Sequence, residues 1–360
     1  MLRISYRYIR RFKRHSFNIF CLALLLYLSF SIQYKNSILF LQHHLLSVKI
    51  LLWSSSSTLP QLSQRTLILV RTSHHCESRL KYLLSSWIPP TRIEQKDKNL
   101  YLLTDYYVRN STSYQKFVNV IETNCPGRHN QYDLCCKTAS EFELYYNLTS
   151  VRKLSIDWMC RFDDDHYINL DNLYLYLKTL DASNLYYIGR TTYDYQKESY
   201  FYNVTYFFAT YGAGVCYSKQ LLNQLKPYVN RTAFSNNCMK LGVNDDVYMG
   251  YLIQLKLNVS LTRINDLLHS HYEWLDVSFR RFTFKQLINS ITLGFSWDRY
   301  PLKWIILIHK LIHLSKTTQQ HDSLMSVWNF IRDYEKVHPE NLVNKYDDTC
   351  TSYWKKRTQK

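Results

Sequence analysis

The chain has 360 residues, with 45 Lys and Arg against 28 Asp and Glu and a formal net charge of +17. That length supports one large domain or two modest ones around a real hydrophobic core. The basic excess raises a nucleic-acid reading, which the next segment sets aside: the opening MLRISYRYIRRFKRH carries Arg3, Arg7, Arg10, Arg11, Lys13 and Arg14 with no acid, and an uncharged apolar run follows.

Residues 1–16 read as a basic cytoplasmic tail. FNIFCLALLLYLSFSI, 17–32, spans roughly 24 Å as a helix, enough for a thin secretory membrane. A cleaved signal peptide is the alternative, but no A-x-A-like site follows. The positive-inside rule then gives a single-pass type II signal-anchor with the body in the lumen. Five N-x-[ST] acceptors agree, Asn110, Asn147, Asn203, Asn230 and Asn258, all beyond the anchor, as do eight of the nine cysteines. Eight thiols allow on the order of a hundred pairings, and the sequence alone chooses none.

Residues 33–65 form a stem, ending in the polar SSSSTLPQLSQ. Strand-like LILV (67–70) precedes a helical stretch around Ser78 to Trp87. NLYLLTD (99–105) is another strand, CCKTASEFELYY (135–146) an amphipathic helix, and IDWMCRF (156–162) a strand running into Asp163, Asp164 and Asp165. LDNLYLYLKTL (170–180) resumes helical spacing. The alternation argues for an α/β sheet with helices on both faces. In such sheets ligands lie beyond the carboxyl ends of strands, where the aspartates fall. Residues 66–275 read as one unit, and 276–360 as a less legible remainder.

Four stretches carry chemistry. The aspartate triplet is either an acidic turn capping the next helix or an oxygen-ligand site for Mn²⁺ or Mg²⁺. In NDDVYMGYLIQL (244–255), Asn244 reads as an N-cap, and Asp245 and Asp246 occupy a first helical turn that favours negative charge. A carboxylate there is also suited to take a proton from a sugar hydroxyl. LLHSHYEW (267–274) offers His269 and His271, a surface pair or a source of imidazole for a metal, and imidazole beside carboxylate favours Mn²⁺. FFATYGAGVCYSKQLL (207–222) places Gly212 and Gly214 in a tight turn before a helix near Ser218, and matches neither a dinucleotide nor a P-loop fingerprint.

Taken in order, LILVRTS, TNCPGRHNQYDLCCKTASEFE, WMCRFDDDHYINLDNL, FFATYGAGVCYSKQL, NDDVYMGYLI and LLHSH resemble the Fringe glycosyltransferases over about 66–275. The resemblance implies a GT-A-type fold, Rossmann-like with a mixed sheet, in a type II Golgi membrane protein. It implies Mn²⁺-dependent inverting transfer of N-acetylglucosamine from UDP-GlcNAc, in β1,3 linkage, to O-linked fucose on EGF-like repeats such as those of Notch. Alternatives are a related β1,3-glycosyltransferase of the core 1 galactosyltransferase type and a non-catalytic lumenal chaperone or glycan-binding relative.

Residue by residue, the resemblance implies that Asp165 and His271 bind Mn²⁺, that Asp163, Asp164 and Arg71 hold the nucleotide sugar, and that Asp246 is the general base. It also implies disulfides Cys125–Cys136 and Cys160–Cys216. The chain departs from the family pattern at Tyr211, where a glycine is usual and a side chain is expected to narrow the acceptor cleft. It departs again at Asn244 for Pro and at Arg71 for Lys. Cys350 lies near the family's last disulfide, but Asn341 stands where its partner is expected. Cys76, Cys135, Cys238 and Cys350 therefore stay unassigned.

Overall fold

The computed structural model describes residues 59–88, 99–105, 119–128, 130–191, 197–199, 204–270, 282–295, 302–317, 321–337 and 350. The expected anchor, most of the stem, His271, Asn110 and Asn203 lie outside these residues. Among the described residues no helix is long and apolar enough to cross a membrane.

The centre is a seven-stranded mixed sheet in the order β10-β6-β9-β4-β1-β2-β3. Its strands are β1 (Thr66–Arg71), β2 (Leu100–Thr104), β3 (Val120–Glu122), β4 (Trp158–Asp163), β6 (Tyr187–Gly189), β9 (Val215–Ser218) and β10 (Leu261–Arg263). β1 pairs in parallel with β2 and β4, while β9 runs antiparallel to both β4 and β6. Among the described residues two small antiparallel pairs complete the strands: β5 (His166–Ile168) with β11 (Thr292–Gly294), and β7 (Lys197–Ser199) with β8 (Val204–Tyr206).

Period-two alternation along β1 sends Ile68 and Val70 into one apolar cluster and Leu67 and Leu69 into the other, so the sheet is buried on both faces. The first cluster takes Leu83 from α2 (Glu77–Leu84), Leu177 from α4 (Leu170–Leu177), Leu287 from α8 (Phe284–Asn289), Ile308 from α9 (Trp304–Thr317) and Trp328 from α10 (His321–Val337). The second takes Phe142 from α3 (Gln131–Tyr146), Leu222 from α5 (Lys219–Leu225), Phe234 from α6 (Arg231–Leu241) and Met249 from α7 (Asp245–Tyr251). The short α1 (Leu59–Gln64) leads into β1. The α/β class with helices on both faces is thus the observed architecture.

The expected elements sit in place with shifted ends. α3 begins at Gln131 instead of 135 because the Asn130 side chain accepts from the Asp133 N–H and caps it. α5 starts where the sequence placed it, with Ser218 accepting from the Leu221 N–H. Asn244 does occupy the N-cap of α7, but its side chain makes no capping bond. Asp245 and Asp246 therefore supply the charge of that first turn unaided.

Four disulfides join the described cysteines. Cys125–Cys136 and Cys160–Cys216 are paired as the resemblance implies, and the unassigned four pair as Cys135–Cys238 and Cys76–Cys350. Cys350 needs no partner at Asn341, because it reaches back to the residue just before α2. Residues beyond 275 also join the core: β11 pairs with β5, which directly follows the aspartates.

Gly214 has φ +91, and a Cβ there would lie 2.6 Å from the buried Phe162 ring. Gly214→Ala is expected to lower stability by about 2–4 kcal/mol through left-handed backbone strain and overpacking. Urea unfolding checks this, and an unchanged midpoint would show that the turn relaxes freely.

Candidate active site

Parallel β1, β2 and β4 end on one edge of the sheet. Antiparallel β9 begins where β4 ends, with Val215 opposite Arg161. The Gly-containing turn before β9 is therefore brought beside Asp163–Asp165. Thr292 ties this edge together: its hydroxyl donates to the Ala213 carbonyl at 2.7 Å and accepts from the His269 N–H at 3.1 Å. The Phe295 N–H donates to the Asp165 carbonyl at 2.9 Å.

The three aspartates are not equivalent. Asp163 is half-buried and receives Arg161 Nη2 at 2.6 Å. Asp164 is buried, accepting from Thr72 Oγ1 at 2.5 Å and from Arg79 Nη1 at 2.9 Å. Asp165 is also buried, with Arg79 Nη1 at 3.3 Å and His166 Nδ1 at 2.8 Å. Burial pushes the Asp164 carboxyl up, Arg79 pulls it back, and the Asp165 charge raises it again, to about 6. Asp164 acts in this structure by holding Thr72 and Arg79.

Asp165 is an oxygen donor of the kind a hard divalent cation takes, and in this structure its two oxygens face Arg79 and His166. Among the described residues no group of three or more His, Cys, Asp or Glu is arranged for a metal. His271, the other expected ligand, lies outside them. His269 is buried, its ring 4.7 Å from that of Phe282.

Asp246 lies in the first turn of α7, half-buried. Burial and the adjacent Asp245 charge raise its carboxyl to about 7, against the opposing N–H groups of Val247 and Tyr211 and the Arg161 charge. A carboxylate poised there is suited to general-base work near neutral pH.

Asp245 is held differently. Arg71 Nη1 donates to it at 2.9 Å and Thr138 Oγ1 at 2.6 Å, while Arg71 Nε donates to Glu141 at 2.8 Å and Nη2 to Thr138 at 2.5 Å. All four residues are buried. Burial alone would raise the Asp245 carboxyl, but Arg71 and Arg161 pull it below its ordinary value. The Arg71 guanidinium, expected at the donor, is engaged in this internal network and braces the helix that carries Asp246.

Tyr211 also departs from expectation. Its ring is buried, with the Arg161 guanidinium carbon 4.4 Å and that of Arg71 5.8 Å from its centroid, and its hydroxyl lies 2.9 Å from that of Tyr217. The 3₁₀ turn Tyr211–Ala213 points the side chain into the core, where cations lie against its ring, so it does not narrow a cleft.

Sequence reasoning missed Arg79, Arg161, Thr138 and Glu141. A second cluster it missed lies at the β2 end: Asp105 accepts from Ser73 Oγ at 2.7 Å, Lys137 Nζ at 3.0 Å and the His74 N–H at 3.0 Å. Burial would raise its carboxyl, but Lys137 and these donors hold it down at about 2. Lys137, Thr138 and Glu141 recur at helical spacing within CCKTASEFELYY, and that polar stripe was the available signal. Of the acceptor asparagines, Asn147, Asn230 and Asn258 are described and exposed.

A family model described as Fringe-like matches residues 62–319. The chain is 31% identical over 225 residues to the β-1,3-N-acetylglucosaminyltransferase lunatic fringe of Xenopus laevis, covering 61% of this chain and 55% of that protein. It is 28% identical over 254 residues to the manic fringe enzyme of Danio rerio, covering 68% and 66%. The matched part thus spans less than two thirds of these relatives. Among solved structures, a glycosyltransferase involved in glycosylation of the PBCV-1 major capsid aligns with a TM-score of 0.36 at 10% identity, over 68% of this chain and 99% of that one. Likeness at that score carries no argument.

Proposed function

This chain belongs to the Fringe-like family, and from that premise we propose that it is an inverting glycosyltransferase anchored as a type II protein in the Golgi membrane. It would move N-acetylglucosamine from UDP-GlcNAc, in β1,3 linkage, to O-linked fucose on EGF-like repeats of Notch type. The observation that carries the reading is Asp246: a half-buried carboxylate, raised to about 7, next to Asp245, which bonds Arg71, the β1 residue in register with Asp163.

In this reading Asp246 takes the proton of the fucose 3-hydroxyl. That oxygen forms a bond to the anomeric carbon of the donor while the bond from that carbon to the diphosphate breaks, leaving UDP and inverted configuration. Asp163, the most exposed of the triplet, is the candidate for donor hydroxyls, and Asp164 acts through Thr72 and Arg79. Asp165 and His271 would hold Mn²⁺, whose charge neutralises the departing diphosphate when bound. The mixed α/β sheet is consistent with a GT-A-type fold. Exposed Asn147, Asn230 and Asn258 are consistent with glycosylation in the lumen.

The test is transfer by the full chain, purified in detergent with Mn²⁺, from a panel of UDP-sugars to an O-fucosylated EGF repeat. Transfer from UDP-GlcNAc is expected. Transfer only from UDP-galactose would move the protein to the core 1 class, and none from any donor would remove the enzyme reading. Asp165→Ala is expected to abolish the Mn²⁺-dependent part of UDP binding, read by calorimetry with and without the metal. Retention of that part would remove Asp165 from the metal site.

A further inference from the structure

We propose that Glu141 is a positioning residue for the donor, bridging Arg161 and Arg71 so that one buried carboxylate holds the Asp163 side chain in a fixed relation to the helix that carries Asp246. This rests on the donor role given to Asp163 above and adds the group through which that role is maintained. Glu141 lies on α3, Arg71 on β1 and Arg161 on β4, and all three are buried. Both guanidinium groups meet the same oxygen: Arg71 Nε donates to Glu141 Oε1 at 2.8 Å, and Arg161 Nε lies 3.4 Å from it. From there the chain runs out in two directions. Arg161 Nη2 donates to Asp163 at 2.6 Å, and Arg71 Nη1 donates to Asp245, the neighbour of Asp246, at 2.9 Å.

Arg161 is the less firmly held of the two cations. Its Nε and Nη1 are buried and make no hydrogen bond among the described residues. The guanidinium is kept in place by its bond to Asp163, by the Glu141 charge and by the Tyr211 ring, whose centroid is 4.4 Å from its central carbon. Arg71 has further anchors, since Asp245 and the Thr138 hydroxyl accept its other N–H groups. Without the Glu141 charge, two buried cations would face each other across a neutral side chain, and like charges repel strongly away from water. Arg161 would shift, and the half-buried Asp163 carboxylate would lose its orientation.

Glu141→Gln keeps the size and removes the charge. In the full chain with Mn²⁺, it is expected to weaken UDP-GlcNAc binding roughly 10-fold by calorimetry, the scale of one misplaced charge-assisted contact. Glu141→Asp keeps the charge but withdraws it by one methylene, so a loss of about 3-fold is expected, and it is read whether or not the glutamine variant folds. Unchanged affinity in either folded variant would overturn the proposal. Asp163→Ala completes a cycle with each of them. If Glu141 acts through Asp163, the double variant binds no more weakly than Asp163→Ala alone. Losses that multiply would mean independent action and would overturn the proposal.

Thr138→Val separates positioning from a general loosening of the core. It removes the Thr138 bond to Asp245 and the Arg71 bond to Thr138, both at the far end of the chain from Asp163. It should lower kcat with UDP-GlcNAc affinity near wild type, whereas Glu141→Gln changes both. An equal loss of affinity in Thr138→Val would overturn the proposal. Binding needs no turnover, so the two readings fail separately. A wild type that showed the non-additive cycle but transferred nothing to O-fucose would remove the proposed activity and leave the positioning role. Transfer accompanied by multiplying losses would do the reverse, and a wild type that bound no UDP-sugar would remove both.

Discussion

Asp246→Asn is expected to lower kcat by about 10²- to 10⁴-fold while leaving UDP-GlcNAc affinity near wild type. The amide keeps the shape and an oxygen for the Val247 N–H, but it has no basic oxygen for the acceptor's proton. Loss of stability would not account for the effect. Burial and Asp245 raise the folded carboxyl to about 7, from an ordinary value near 3.8. A raised carboxyl stabilises the fold at low pH, and that contribution is lost as pH rises through this window. Removing the charge should therefore leave the variant at least as stable as wild type at pH 8, read by thermal melting beside the kinetics. Wild-type turnover should fall as pH drops below about 7, as the base takes up its proton. Full activity in the folded Asn variant would remove Asp246 from the chemistry.

The largest stability effect is expected at Arg71. Arg71→Met leaves Asp245 and Glu141 buried without the guanidinium that joins them, a change of the kind that costs about 3–5 kcal/mol. The sign with pH is definite. In the wild type Asp245 lies below its ordinary value despite burial, held there by Arg71 and then Arg161. It contributes stability above that ordinary value, which is lost as pH falls through the folded one. Without Arg71 the buried carboxyl rises, so the gap between variant and wild type should narrow as pH falls from 8 to 5.5, read by denaturant melts. A gap independent of pH would show that the network is not held by charge. Arg71→Lys should lose less, because it keeps the charge and gives up the three-way fork.

The strands and helices around the site were readable because their patterns are local. LILV and IDWMCRF are short apolar runs, and CCKTASEFELYY has helical spacing. The ordered motifs also pointed to the aspartates, Asp246 and the pairs Cys125–Cys136 and Cys160–Cys216. Arg161 was not readable, because a lone Arg in a strand gives no sign that it lies buried against Tyr211, Glu141 and Asp163. Tyr211 was misplaced for a related reason. A substitution read against a family glycine suggests bulk in a cleft, whereas the direction of its ring depends on the turn's attachment to β9.

By itself, the sequence determined the α/β class, through the periodicity of its strands and helices, and the order of its acidic, glycine and histidine motifs, whose reading for sugar chemistry came from their resemblance to the Fringe enzymes. Only the tertiary structure decided which of them touch. Arg71 reaches Asp245 across 174 positions, Cys76 bonds Cys350 across 274, and Thr292 joins the Gly turn to His269. Such contacts arise when buried charges and polar groups find partners during packing, and a partner distant along the chain leaves no periodic mark near either end.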